Sequence, residues 1–186
     1  MTNVFVDCLR MNGTIRCPGD GGFSDIILFG RRMRLRKDHP AIELMGRLDE
    51  LEAFAEWGVV EVGGVEFMNI AAMATALNTY LATGDETWLK PIRDLINEAC
   101  DIDSKELGWF MPGDRKTALL NLLRVKAREA ERTAIRLLDS ELSIDYVNEL
   151  VGMLNQVNKY IAHLIFLSNV KVFRNINEKI KILTMQ

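Results

Sequence analysis

From residue 40 onward the apolar positions recur at helical spacing, whereas the first 39 residues show no sustained period. Pro40 suits the first turn of a helix, and Leu44, Leu48, Leu51 and Ala55 follow it three or four positions apart. Gly58 and the pair Gly63-Gly64 predict a break. A second helix is expected over residues 66–81, stopped by Thr83-Gly84. A third is expected from the capping residue Asp85 to near Cys100, and Pro112-Gly113 marks the next break. A fourth, long helix is expected over residues 115–138. The fifth is expected to start at the cap Ser143, with Leu142 and Val147 at staple spacing, and to end near Asn169. Five helices with short connections and no convincing strand pattern predict one all-α domain over residues 1–186, a five-helix bundle over residues 40–169. The segment 1–39 reads as loop and short extended pieces, with turn signals at Asn12-Gly13, Pro18-Gly19 and Gly21-Gly22. The tail 170–186 alternates basic and apolar residues and is expected as a helical extension or a fraying end.

Composition changes this picture little. The 186 residues suit a single domain, with 48% apolar and 26% charged residues. The net charge of -3 argues against general nucleic-acid binding. No apolar run has the length of a membrane span, and residues 1–12 lack the layout of a signal peptide. No nucleic-acid partner and no membrane association are therefore expected. Cys8, Cys17 and Cys100 are odd in number and widely spaced. They fit neither a disulfide framework nor a metal pair, and a cytoplasmic location is the simplest expectation.

Four places carry candidate chemistry. On the fourth helix, Arg124, Arg128, Glu131 and Arg132 follow at offsets that put them on one face. That face is either solvated charge or an anion site, since arginines one turn apart repel unless something negative lies beside them. The stretch Pro18-Gly19-Asp20-Gly21-Gly22-Phe23-Ser24 is either an ordinary turn or a phosphate cradle. It is not a Walker loop, because no Gly-Lys-Ser/Thr follows. The basic run Arg31-Arg32-Met33-Arg34-Leu35-Arg36-Lys37 reads as a solvated loop or as part of such a cradle. Trp109 and Phe110, just before Pro112-Gly113, are either a core anchor or a stacking face for a flat ligand. Asn155 sits among Leu150, Met153, Leu154, Val157 and Ile161 and needs a partner if buried. His39 belongs to a helix start and His163 reads as structural; neither has metal-ligand spacing.

Taken in order, these segments resemble the trimeric ATP:cob(I)alamin adenosyltransferases. Gly19-Asp20-x-Gly22, Leu28-Phe29-Gly30, Lys37-Asp38-His39-Pro40 and Gly46-Arg47-Leu48-Asp49-Glu50-Leu51 are similar to that family's opening, TxTGDxGxT, LFGG, KDDP and GTxDEL. Phe110-Met111-Pro112-Gly113 resembles its F-x-x-P-G loop. Arg124 with Arg128-Glu129-Ala130-Glu131-Arg132 resembles R-x-x-x-R-R-A-E-R, and Leu154-Asn155 followed by Tyr160 resembles LNRLSDYLF. The resemblance covers residues 16–169.

The resemblance implies a ferritin-like five-helix fold and transfer of the 5′-deoxyadenosyl group of ATP to the cobalt of cob(I)alamin, releasing tripolyphosphate. Gly19, Asp20, Gly22, Ser24 and Lys37 would hold the ATP phosphates with Mg²⁺. Arg124, Arg128, Glu131, Arg132 and Asn155 would complete the nucleotide site, partly across a subunit boundary of a homotrimer. Arg128 would be the central catalytic cation, braced by Asp49, which also borders the corrin. Phe110 would cover the lower face of the corrin ring. Cobalamin and ATP are the implied partners, with a reductase or an acceptor enzyme beside them. Departures from the pattern are Arg16 and Pro18 in place of two threonines, Glu129, Lys159, Ala162 and Asp114. They keep open a second function, a diverged bundle that binds corrinoid or nucleotide without efficient transfer.

Overall fold

The computed structural model describes residues 9–11, 14–17, 19–99, 109–139, 144–173 and 175–184. Four long helices build the core: α1 (Pro40–Glu61), α2 (Val65–Thr83), α4 (Arg115–Ile135) and α5 (Ile144–Phe166). The shorter α3 (Lys90–Ala99) leans on α5, and α6 (Ile176–Thr184) follows near the C-terminus. Helix α1 packs along both α2 and α4, and α4 packs along α5. The seam is filled by Leu44, Leu48 and Leu51 of α1, Phe67, Ile70 and Leu77 of α2, Leu120 and Leu123 of α4, and Leu150, Leu154 and Val157 of α5, all buried. Each recurs at three- or four-residue spacing, so one stripe of each helix leaves water. The all-α bundle expected from the pattern is present.

The helix ends follow local chemistry. Pro40 opens α1, and Nδ1 of His39 accepts the backbone N–H of Ala41 at 3.1 Å. Asp85 caps a short 3₁₀ turn, Glu86–Leu89, ahead of α3 rather than α3 itself. Helix α4 begins with a capping box in which Asp114 and Thr117 exchange side-chain bonds with each other's backbone N–H. It ends in a second 3₁₀ turn, Arg136–Asp139.

Three expectations are corrected. Gly58 does not break the first helix; it lies inside α1, where a Cβ would meet the Phe67 ring at 2.3 Å. It is a point of close helix approach. The chain also holds three two-stranded antiparallel sheets among the described residues: β1 (Leu9–Met11) with β2 (Thr14–Arg16), β3 (Phe23–Leu28) with β4 (Arg31–Arg36), and β5 (Trp109–Pro112) with β6 (Val170–Phe173). The basic run is thus strand β4, with Met33 and Leu35 turned toward the core and Arg32, Arg34 and Arg36 toward solvent. The tail contains a strand and a helix. Ser143, Leu142, Pro18, Cys8 and Cys100 lie outside the described residues. Cys17 is disulfide-bonded, which overturns the expectation of unpaired cysteines at that position.

The β3–β4 hairpin is fixed to the bundle through its turn. Phe29 and Gly30 both take positive φ, 46° and 75°, as a two-residue hairpin turn of this hand requires. Their N–H groups donate to the carbonyls of Leu81 and Ala82, each at 2.8 Å. The turn thereby satisfies carbonyls that the last turn of α2 leaves open. The Phe29 ring stacks on Tyr146 at 5.1 Å and meets Tyr80 edge-on.

Candidate functional site

The Phe110 ring, carried on β5, touches two helices. It meets Phe166 of α5 edge-on at 5.8 Å, and the Arg124 guanidinium of α4 lies 5.6 Å from its centroid. The Arg124 flank of α4 and the Phe166 face of α5 therefore border one groove. Arg128 and Glu131 lie on that flank, one and two turns beyond Arg124. Asn155 lies on the Phe166 face of α5, three turns earlier, and Ala162 one turn before Phe166. Phe110 closes the end of the groove where β5 pairs with β6. That end is tightly built: the Gly113 N–H donates to the Asn169 carbonyl at 2.8 Å, and a Cβ on Gly113 would meet that oxygen at 2.7 Å.

The two groove arginines differ in commitment. Arg124 is half-buried, and its Nε and Nη2 both donate to Oδ1 of Asn121, at 3.3 and 3.2 Å. Burial, then the neighbouring Arg128 charge, pulls its pKa down from the usual guanidinium range. No carboxylate offsets this among the described residues. Arg128 is exposed and has no ion-pair partner among them. Sequence reasoning missed Asn121 and Phe166, although Asn121 sits one turn before Arg124. It also missed Asn158, one turn beyond Asn155, whose Oδ1 is buried and accepts no hydrogen bond.

Arg132, one turn beyond Arg128, reaches toward the α1 side of α4, where it lines a polar cavity of about 310 Å³ with Glu43, Arg47, Glu129, Thr133 and Arg136. Ion pairs zip that α1–α4 seam: Arg136–Glu43 at 2.6 Å, Arg47–Glu129 at 3.4 Å and Lys126–Glu50 at 2.7 Å. Asp49 is also turned away from Arg128. Its neighbours Arg47 and Glu50 face α4, so Asp49 points along the α2 side, where Asn78 donates to it at 2.8 Å. Burial, then the Glu52 charge, raises its pKa above the ordinary aspartate value, against the Asn78 bond. Within one chain Arg128 and Asp49 do not pair, contrary to the expected brace.

The N-terminal loop forms a tight cradle. The Asp20 N–H donates to the Cys17 carbonyl at 3.1 Å, Oδ2 of Asp20 accepts the Cys17 N–H at 2.7 Å, and the Gly22 N–H reaches the Gly19 carbonyl. Gly19 and Gly22 take φ of +92° and +78°. Lys37 is tied in by its N–H to the Gly22 carbonyl at 2.9 Å, and its Nζ lies 3.1 Å from where a Gly19 Cβ would be. Glycine is required there twice over, by backbone conformation and by the ammonium above it. Ser24 follows, half-buried, on β3.

A family model described as cobalamin adenosyltransferase matches residues 15–161. The chain belongs to the cobalamin adenosyltransferase family. No curated protein matches by sequence. Among solved structures, a phenylalanine-to-alanine variant of a PduO-type ATP:corrinoid adenosyltransferase from Lactobacillus reuteri, complexed with cobalamin and ATP, is similar with a TM-score of 0.51 and 20% identity. The match covers 84% of this chain and 97% of that one. A phenylalanine-to-histidine variant complexed with the same two molecules has TM-score 0.52 and 20% identity, over 84% of this chain and 94% of that one. An arginine-to-lysine variant complexed with ATP has TM-score 0.52 and 18% identity, over 84% and 97%. These likenesses establish the shared fold.

Two departures from the adenosyltransferase pattern have a structural use. Glu129, standing for an arginine, pairs with Arg47 across the α1–α4 seam and with Lys126 one turn back on α4. Arg47 itself stands at the threonine of GTxDEL, so the two changes answer each other. Asp114, at the second glycine of Pro-Gly-Gly, is the cap of α4.

Proposed function

We propose that this cobalamin adenosyltransferase transfers the 5′-deoxyadenosyl group of ATP to corrinoid cobalt in the α4–α5 groove. One observation carries the placement: an uncommitted cation, Arg128, and an aromatic face, Phe110, border the same groove. Cob(I)alamin supplies the electron pair, which forms the cobalt–carbon bond at the 5′-carbon of ATP. The bond from that carbon to oxygen breaks, and tripolyphosphate leaves with the pair. The departing charge asks for cations held in place beforehand, and Arg128 with Lys37 over the Gly19–Gly22 turn supplies them. Phe110 lays an apolar face under the corrin and keeps water and a lower axial base from the metal.

No group of three or more His, Cys, Asp or Glu able to hold a metal occurs among the described residues. Mg²⁺ is proposed to arrive on the phosphates, with the Ser24 hydroxyl, just beyond the Gly19–Gly22 turn, as a further oxygen. A homotrimer is proposed as well, with each site between two copies. Among the described residues Asp49 has no cationic partner and Arg128 no anionic one, and a neighbouring copy would supply each. No described helix is long and apolar enough to cross a membrane. The second reading, binding without efficient transfer, is favoured by Arg16 and Pro18, which remove two hydroxyls from the family's phosphate loop.

The test is Phe110→Ala. Loss of the ring should weaken cobalamin binding by about 1 kcal/mol or more, roughly fivefold, and lower turnover further. ATP affinity, measured by calorimetry, should hold. Parent-like cobalamin affinity and turnover would make Phe110 a core anchor only.

A further inference from the structure

The two groove arginines have been read alike, as nucleotide ligands, yet their surroundings differ. Arg128 is exposed and free of protein partners among the described residues, so it can follow a phosphate. Arg124 is half-buried, spends Nε and Nη2 on the Asn121 carboxamide, and faces the Phe110 ring at 5.6 Å. With Nε and Nη2 bonded to Asn121, the guanidinium is held in one place by the protein rather than by a phosphate, although three of its five N–H groups remain. Its face lies on the Phe110 ring.

We propose that Arg124 is a positioning residue that acts on the reaction through Phe110, holding the ring against Phe166 at the end of the groove, rather than a phosphate ligand. The arrangement is a sandwich of three elements. Phe166 of α5 supports one edge of the Phe110 ring, and Arg124 of α4 covers its face. Asn121, one turn back on α4, sets the plane of the guanidinium. Strand β5 carries the ring and is held by β6, where Phe110 pairs with Val172. Backbone pairing fixes where the ring is attached, and the Arg124–Phe166 pair fixes where it points. Lysine cannot substitute fully, because an ammonium lacks the flat face and the fork toward Asn121.

The proposal rests on the reading of Phe110 as the corrin face, so the test has two arms. The first uses no ligand. Urea unfolding of the parent, Arg124→Met, Phe110→Leu and the double variant, at one protein concentration, forms a double-mutant cycle. Methionine keeps the apolar stem and removes the charge and the plane. The coupling should be about 2- to 5-fold in the unfolding constant, the range of a partly exposed cation–π contact. Additive effects would overturn the proposal whatever the protein binds.

The second arm measures cob(II)alamin affinity by absorbance and Mg-ATP affinity by calorimetry. Arg124→Met should weaken cobalamin several-fold and leave ATP within about twofold, and the cobalamin effect should vanish in the Phe110→Leu background. Arg124→Lys should fall between parent and Arg124→Met. Loss of ATP affinity with cobalamin unchanged would make Arg124 a nucleotide ligand and overturn the proposal. A parent that binds no cobalamin would instead sink the transferase reading, with the ligand-free coupling still observed.

Discussion

Gly58 and Gly46 are both glycines inside α1, and the structure predicts opposite outcomes for the same substitution. At Gly58 a Cβ would lie 2.3 Å from Cδ1, 2.7 Å from Cε1 and 2.9 Å from Cγ of Phe67. Phe67 is fully buried in the α1–α2 seam, so the ring has nowhere to retreat. Overpacking of this kind costs about 1–3 kcal/mol. Helix propensity works the other way and favours alanine over glycine by about 1 kcal/mol. The 2.3 Å approach to a fully buried ring puts the clash at the upper end of that range, so Gly58→Ala should lower stability by up to about 2 kcal/mol, the difference of the two effects. At Gly46 nothing lies within 4 Å of the added carbon and the residue is exposed. Gly46→Ala should raise stability by about 0.5–1 kcal/mol. Melting temperatures should move in opposite directions, by about 2–4 °C per kcal/mol for a chain of this size. The assay is urea and thermal unfolding at one protein concentration. Equal gains at both positions would refute the argument, because they would mean that α1 and α2 separate around Phe67 at no cost.

Gly113→Ala should press a methyl against the Asn169 carbonyl, break the Gly113–Asn169 bond and loosen β5 from β6. Helix content by circular dichroism should hold while cobalamin affinity falls, since β5 carries Phe110; unchanged affinity would disconnect the strand pair from the site. The pH dependence of stability should show the α1–α4 seam. The Lys126 hydrogen bond, then Arg47, holds the Glu50 carboxyl below the usual glutamate range, against burial. A depressed folded-state value adds stability above the unfolded glutamate pKa of about 4.3 and loses it as pH falls through the folded value. Glu50→Gln should flatten the acid limb of the urea midpoint between pH 5 and 3, about where carboxylates titrate; an unchanged limb would refute the seam's role.

The bundle was legible because its core residues repeat at helical spacing, and Leu44, Leu48 and Leu51 all lie in the buried stripe. Gly58 misled because a glycine needed for close packing looks the same in sequence as one that ends a helix. Strand β4 was hidden by its arginines, although Arg32, Arg34 and Arg36 alternate with Met33 and Leu35 as a half-covered strand should. The β5–β6 pair could not be read at all, because its partners lie some 60 residues apart and each strand has only four residues. At the site, the grouping of Arg124, Arg128 and Glu131 was accessible from their spacing. Arg132 follows Arg128 by one turn, but two such steps from Arg124 turn about 80° around the helix, and it lines the cavity on the α1 side. The Asp49–Arg128 brace failed within the chain because Asp49 belongs to the α2 side of α1. No spacing within one helix reveals which neighbour it faces.

The central claim is tested most directly by an anaerobic absorbance assay that follows reduced cobalamin with Mg-ATP. The parent should form adenosylcobalamin and release tripolyphosphate in equal amounts. Arg128→Lys, which keeps the charge and loses the planar fork, should form it far more slowly with unchanged circular dichroism. Binding of both substrates by the parent without any adenosylcobalamin would contradict the transfer mechanism and leave the chain a binding protein. Parent-like turnover by Arg128→Lys would contradict the role of the α4–α5 groove.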